Sequence, residues 1–218
     1  MLTPRAILAE RHDEEMDAKS HPPKLLVPAT ARGEATRRKL LAAAEEEFGH
    51  KGFHSASVSS ITLRAGVGQG TFYLYFHSKE EIFVTLVREI GHALRKHMAD
   101  AVRGATDRLH SERLGLDAFL EFASAHPGLY RIVQESQFVD ETVFREYYER
   151  LAQGYSKALE AAAADGQISP GDAETRAWAI MGIGHFLGQR YCLWQGQRPE
   201  PAVMDEVMRF ISQGMAPR

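Results

Sequence analysis

Between Arg64 and Lys79 the chain carries Gln69, Gly70, Thr71, Tyr73 and Tyr75 and no acidic residue. At helical spacing these residues share an outer face of amide, hydroxyl and phenol groups, with a lysine just beyond. A solvated helix face ordinarily favours Glu and Lys. A polar face without carboxylates suits a helix lying between two rows of phosphates, with short side chains reaching base edges. A helical hairpin that merely packs would also fit the composition.

Other chemistries find no support in the residue types. Glu45, Glu46 and Glu47 are consecutive, so they point around a helix rather than converge. His92 and His97 lack the spacing of a zinc-protease pair. His126 stands beside Pro127 and reads as a helix-end residue, and His185 reads as core or interface. No serine sits in a G-x-S-x-G elbow. No catalytic residue, metal site or cofactor is expected. A small-molecule enzyme or carrier with a vestigial DNA module stays open as an alternative.

The elements that must hold the 69–79 face are helical. The chain has 218 residues, 44% hydrophobic and 25% charged, with a net charge of -3. That charge excludes a uniformly basic nucleic-acid binder but not a local patch. Cys192 is the one cysteine, which excludes an internal disulfide. Glu10, Asp13, Glu14 and Glu15 interrupt the opening where a signal peptide needs an apolar run, and Ala177 to Gly184 is too short to span a membrane. A cytoplasmic protein without a membrane partner is expected. Residues 1–33, interrupted by Pro22, Pro23 and Pro28, read as a disordered arm or a basic arm on phosphates, with Met16 a second candidate start.

No alternating strand pattern follows. Helices are expected over 35–50, stopped by Gly49 and Gly52; 57–66; 69–76; 78–103, opened by the Ser78-x-x-Glu81 capping box; 106–125; 128–138; 140–164; 172–194; and 201–213. The fold class is all-α: an N-terminal three-helix helix-turn-helix unit over 34–80 and a larger C-terminal helical domain over 81–218.

The stretch from Ala35 to Phe83 resembles, without a gap, the DNA-binding domain of the TetR family of bacterial transcriptional regulators. Its most specific part is Ala65-Gly-Val-Gly-Gln-Gly-Thr-Phe-Tyr-Leu-Tyr-Phe-His-Ser-Lys79. Gly68, Thr62 and Ser59 depart from the usual Ser or Asp, Ala and longer polar residue. The resemblance implies backbone contacts from Thr36 and Arg37, a phosphate at Ser57, and a weak contact from Ser59. It places Gln69 and Thr71 at base edges and Gly70 where the backbone approaches the groove. Tyr73, Tyr75 and Lys79 fall on phosphates, and Arg64 on solvent, with a phosphate as its alternative.

The same resemblance implies that the C-terminal domain binds an effector and forms the homodimer. Trp178, Met181, Gly184, Leu187, Gly188, Tyr191, Val207 and Phe210 are the expected interface, with intrachain core as the alternative. Phe122, Tyr130, Gln134, Phe138, Phe144, Tyr147, Tyr148, Leu151 and Tyr155 are the expected pocket, with plain core as the alternative. Buried phenols need hydrogen-bond partners, and several around Gln134 would suit an apolar ligand with a few polar groups. The run His126 to Glu135 is similar to regulators of fatty-acid or aromatic-acid breakdown that sense acyl-CoA thioesters. Arg131, Arg145 and Arg190 are candidate cations for the CoA phosphates. A repressor released from a palindromic double-stranded DNA operator is the expectation; a constitutive binder with a solid interior is the alternative.

Overall fold

The computed structural model describes residues 30–215; the 1–29 part of the expected arm lies outside them. Helix α1 spans Ala31–Ser55 and begins four residues before Ala35, because Thr30 caps it: its hydroxyl oxygen accepts from the Gly33 N–H at 3.1 Å. Gly49 does not stop it. There α1 lies against α6 (Pro127–Val139) so closely that a Cβ on Gly49 would stand 3.2 Å from the Gly128 Cα. The helical path breaks only at Gly52, where φ is 77° and ψ 165°, a region open to glycine.

Helix α2, Val58–Ala65, is capped by Ser57 in a reciprocal box with Ser60 and closed by Gly66 at φ 67°. Buried Thr62 donates to the Ser59 carbonyl at 3.1 Å, so its departure from alanine leaves no polar group unmet. Helix α3 is Gln69–Tyr75 and α4 is Lys79–Ala101. Ser78 caps α4 as expected, but Glu81 closes the box one residue early, accepting from the His77 N–H at 2.5 Å. A 3-10 turn, Val102–Gly104, leads to α5, Arg108–Ala125. Then follow α7 (Glu141–Ala164), α8 (Ala173–Leu187) and α9 (Pro201–Met215). The helix expected over 172–194 changes to a π-helical segment at Gly188–Trp194. Among the described residues there is no strand.

Two apolar clusters organise these elements. The first joins Leu40, Phe48, Phe53, Ile61, Phe72 and Phe76 to Phe83 and Val87 of α4 and to Ile132 of α6 and Val143 of α7. The Phe83 ring meets Phe48 and Phe53 edge-on at 5.2 and 5.0 Å. The helix-turn-helix domain therefore shares its core with the larger domain. The second cluster centres on Leu116, Leu120, Leu159, Ile168, Ala177 and Ile180.

One ion network corrects the expectation that Glu46 and Glu47 do not converge. Glu46 and Glu47 converge on Arg64, at 2.5 and 2.8 Å, so Arg64, exposed as expected, is engaged by two carboxylates. It ties α2 to α1. Glu47 is buried, and hydrogen bonds from Lys51 at 2.6 Å and from Arg64 hold its carboxyl at about 2, against an ordinary 4.5. A depressed carboxylate stabilises the fold above its ordinary value and loses that contribution as pH falls through its folded one. We predict that Glu47→Gln flattens the pH dependence of urea-unfolding stability between about pH 5 and 2. An unchanged slope would show that Glu47 is not the group that titrates.

Candidate nucleic-acid interface and internal cavity

The α2–α3 turn leaves one face of α3 outward. Gln69 and Gly70 are exposed, Thr71 is half-buried beside them, and a Cβ added at Gly70 would meet nothing within 4 Å. Tyr73 is exposed with its ring edge-on to buried Phe72 at 5.4 Å. Tyr75 is half-buried and packs on the first core cluster, so less of it is open to a partner. Exposed Ser57 and Ser59 lie at the start of α2, and Leu63 of the same helix is bare. Gly68 gives α3 no side-chain cap; its carbonyl instead accepts from Thr71 N–H at 2.9 Å.

Three expected phosphate contacts also hold the fold. Lys79 donates to the carbonyls of Phe53 at 2.7 Å and Ala56 at 2.9 Å, with its ammonium 4.2 Å from the Phe53 ring centre. It thus ties the end of α1 to the start of α4 and keeps one N–H for another acceptor. Arg37 bonds Glu89 of α4 at 3.1 Å and lies over the Phe76 ring. Thr36 donates to the Arg32 carbonyl at 3.0 Å.

In the larger domain α4, α5, α6, α7 and α8 enclose a cavity of about 50 Å³. Tyr130, Gln134, Tyr147, Tyr148, Leu151 and Tyr155 line it. Phe138 and Phe144 line an adjoining, more open space of about 490 Å³ that shares Gln134, Tyr148, Met181 and His185 with it. Phe122 lines neither; it packs against His97, His126 and the first core cluster. Sequence reasoning missed Met98, Phe119 and His185. His185 shares a helical face with Met181, but no feature of its neighbours marks it as polar lining rather than core.

The polar end of the cavity is His185. The Tyr130 hydroxyl donates to the His185 carbonyl at 2.8 Å and stands 3.1 Å from Nδ1; Tyr148 stands 3.3 Å from the same nitrogen. A phenol has one proton. With Tyr130's given to the carbonyl, its oxygen accepts from Nδ1 in one His185 tautomer, and in the other Nδ1 accepts from Tyr148. Burial lowers the His185 pKa, raises that of Tyr130 and Tyr147, and pushes Tyr148 to about 12. All four side chains are neutral donors and acceptors near pH 7.

The expected interface residues divide. A Cβ on Gly184 would stand 3.2 Å from a Leu116 methyl, and one on Gly188 3.1 Å from the Phe119 ring. Both glycines serve close packing within the chain. Met181 lines the cavity, and Leu187 and Val207 pack on the second core cluster. Tyr191 is half-buried beneath Arg190. Trp178 and Phe210 are exposed, as is Phe186 one turn beyond Gly182. Among the described residues no helix is long and apolar enough to cross a membrane, and no three metal-ligating side chains cluster.

A profile of bacterial regulatory proteins of the tetR family matches residues 40–86. The HTH-type transcriptional regulator YdgC of Bacillus subtilis is 31% identical over 193 residues, which cover 86% of this chain and 96% of that one. In fold, the chain is similar to the fatty acid degradation regulator FadR of Bacillus halodurans, with a TM-score of 0.72 at 21% identity over 81% of this chain and 94% of the other. It is similar also to FadR of Bacillus subtilis in complex with stearoyl-CoA, with a TM-score of 0.71 at 21% identity over 81% of this chain and 98% of that one.

Lys79→Met should leave the Phe53 and Ala56 carbonyls without their donor. We predict a loss of about 1–3 kcal/mol in equilibrium unfolding, besides any loss in DNA affinity. Unchanged stability would mean that the lysine acts on a partner alone.

Proposed function

Since the chain belongs to the tetR family of bacterial regulatory proteins, we propose that this transcriptional regulator is a homodimeric repressor released from a palindromic operator by an acyl-type effector. One helix-turn-helix per chain reads a half-site. A two-fold pair places two α3 helices in successive major grooves, about 34–36 Å apart. Gln69 and Thr71 read base edges, a glutamine amide pairing with N6 and N7 of adenine. Gly70 admits the backbone to the groove, and Ser57, Ser59, Tyr73, Tyr75 and the third N–H of Lys79 meet the DNA backbone. Trp178 and Phe210, with Phe186, form the exposed apolar face for the second copy.

The observation that carries the effector reading is the double use of α6. Glu135 and Gly128 hold the end of α1, while Tyr130 and Gln134, on the same helix, line the cavity. About 50 Å³ holds no acyl chain; ligand sites run to about 300–1,000 Å³. A ligand must part α4, α6, α7 and α8 to enter, so it binds one geometry of the domain better than another and shifts the population. The space around Tyr148 and Tyr155 supports an effector over a constitutive binder. The stearoyl-CoA held by the Bacillus subtilis FadR structure supports the acyl class. A neutral Tyr148 hydroxyl suits an ester-type carbonyl.

Gln69→Ala is expected to lower discrimination between matched and mismatched operators by about 1–3 kcal/mol at one base pair, measured by competitive binding to operator variants. Preserved discrimination would remove Gln69 from the base edge. Tyr148→Ala should raise the acyl-CoA concentration needed to release operator by about tenfold while operator affinity without effector is kept. An identical release curve would take Tyr148 out of the effector site.

A further inference from the structure

The cations anticipated for an anionic effector are elsewhere. Arg131 and Arg190 are exposed and line neither the cavity nor the space adjoining it, and Arg145 pairs with Glu149 at 3.7 Å. Beside the cavity, and sharing Met98, Gly115, Leu151 and Tyr155 with it, lies an outer space of about 310 Å³ between α4, α5 and α7. Three arginines line that space. Arg108 is matched by buried Glu112. Arg150 bonds Glu146 at 2.7 Å, and the other oxygen of Glu146 accepts from Arg88 at 3.0 Å. Arg95 is half-buried, and among the described residues no carboxylate lies within 4 Å of it. Arg88, Arg95 and Arg150 around the single Glu146 leave a local excess of positive charge beside the apolar lining of that space.

We infer that Arg95 and Arg150 form the mouth of the effector site, binding the anionic group of a ligand whose apolar chain passes between α4 and α7 to Tyr148 and His185. The inference rests on the effector reading above. A phosphate or carboxylate there gains hydrogen bonds from two guanidinium forks, each stronger than a neutral one. Burial and then the neighbouring Arg150 depress the Arg95 pKa, outweighing the opposing influence of Tyr147 and Glu146. The alternative entrance, past Trp178 and Phe186, has three glutamines and His185 in its lining but no arginine, lysine or carboxylate. It offers an anion nothing comparable. Met98 stands one turn after Arg95 on α4, and Leu151 follows Arg150 on α7. Head and chain of one ligand would therefore bear on the same two helices.

The test is calorimetric titration of the full chain with palmitoyl-CoA and, separately, palmitate, each below its micellar concentration. Arg95→Gln and Arg150→Gln should each weaken binding about tenfold or more, and Arg95→Lys should restore part of it. Arg131→Gln, on exposed α6 surface, should leave binding as in the wild type. Thermal unfolding of each variant checks the fold. A loss seen only with palmitoyl-CoA assigns the pair to phosphates, and a loss seen only with palmitate assigns it to the carboxylate; either supports the mouth. Wild-type binding that both glutamine variants retain in full overturns it and leaves the effector reading standing. A wild type that binds neither amphiphile removes the effector reading and this inference together.

Discussion

The contact on which the rest of the molecule turns is between the end of α1 and α6. Gly49 and Gly128 let the two helices approach to backbone distance, and Gly52 breaks the helical path. The break frees the Phe53 N–H, which both oxygens of Glu135 accept at 2.9 Å. Lys79 then gathers the Phe53 and Ala56 carbonyls, so α4 begins where α1 ends. A side chain at either glycine of the close contact would push the helices apart, and a residue other than glycine at 52 would strain the turn that Glu135 completes. The orientation of α3 follows from these few groups.

This arrangement makes two helices the mechanical route in the proposed regulation. Helix α4 runs from Lys79 at the DNA-binding end to Met98 at the cavity. Helix α6 presents Glu135 to α1 and Tyr130 to His185. The two are joined through Ile132 and Val133, which share the first core cluster with Phe83 and Val87. Packed cores deform poorly, so a ligand that widens the Tyr130–Tyr148 space moves helices as bodies rather than compressing side chains.

Much of this was legible in the sequence, because the punctuation is local. Ser57, Ser78 and Asp140 cap helices within three residues of themselves, and Gly66 closes α2 by its own conformation. The tyrosine stripe of α7 likewise announced a cavity, since Tyr147, Tyr148, Leu151 and Tyr155 recur at helical spacing. What stayed hidden depends on partners distant in sequence. Gly49 reads as a stop until Gly128 is set against it, and Gly184 and Gly188 read as an interface until Leu116 and Phe119 occupy the space. Phe122 has the same composition signal as the lining residues but faces His97 and His126. Arg64 could not be matched to Glu46 and Glu47 without knowing how α2 crosses α1. Charges pair across helices at spacings that no local pattern records.

The central claim is that filling the cavity moves the DNA-reading units of the dimer relative to each other. The direct measurement is a pulsed electron-spin distance between labels at Leu63→Cys on α2, one per protomer, with buried Cys192 replaced by serine. The account predicts one mean distance for the operator complex and a resolved shift to another when palmitoyl-CoA saturates the protein. A distance distribution that stays fixed while the ligand is demonstrably bound would contradict it.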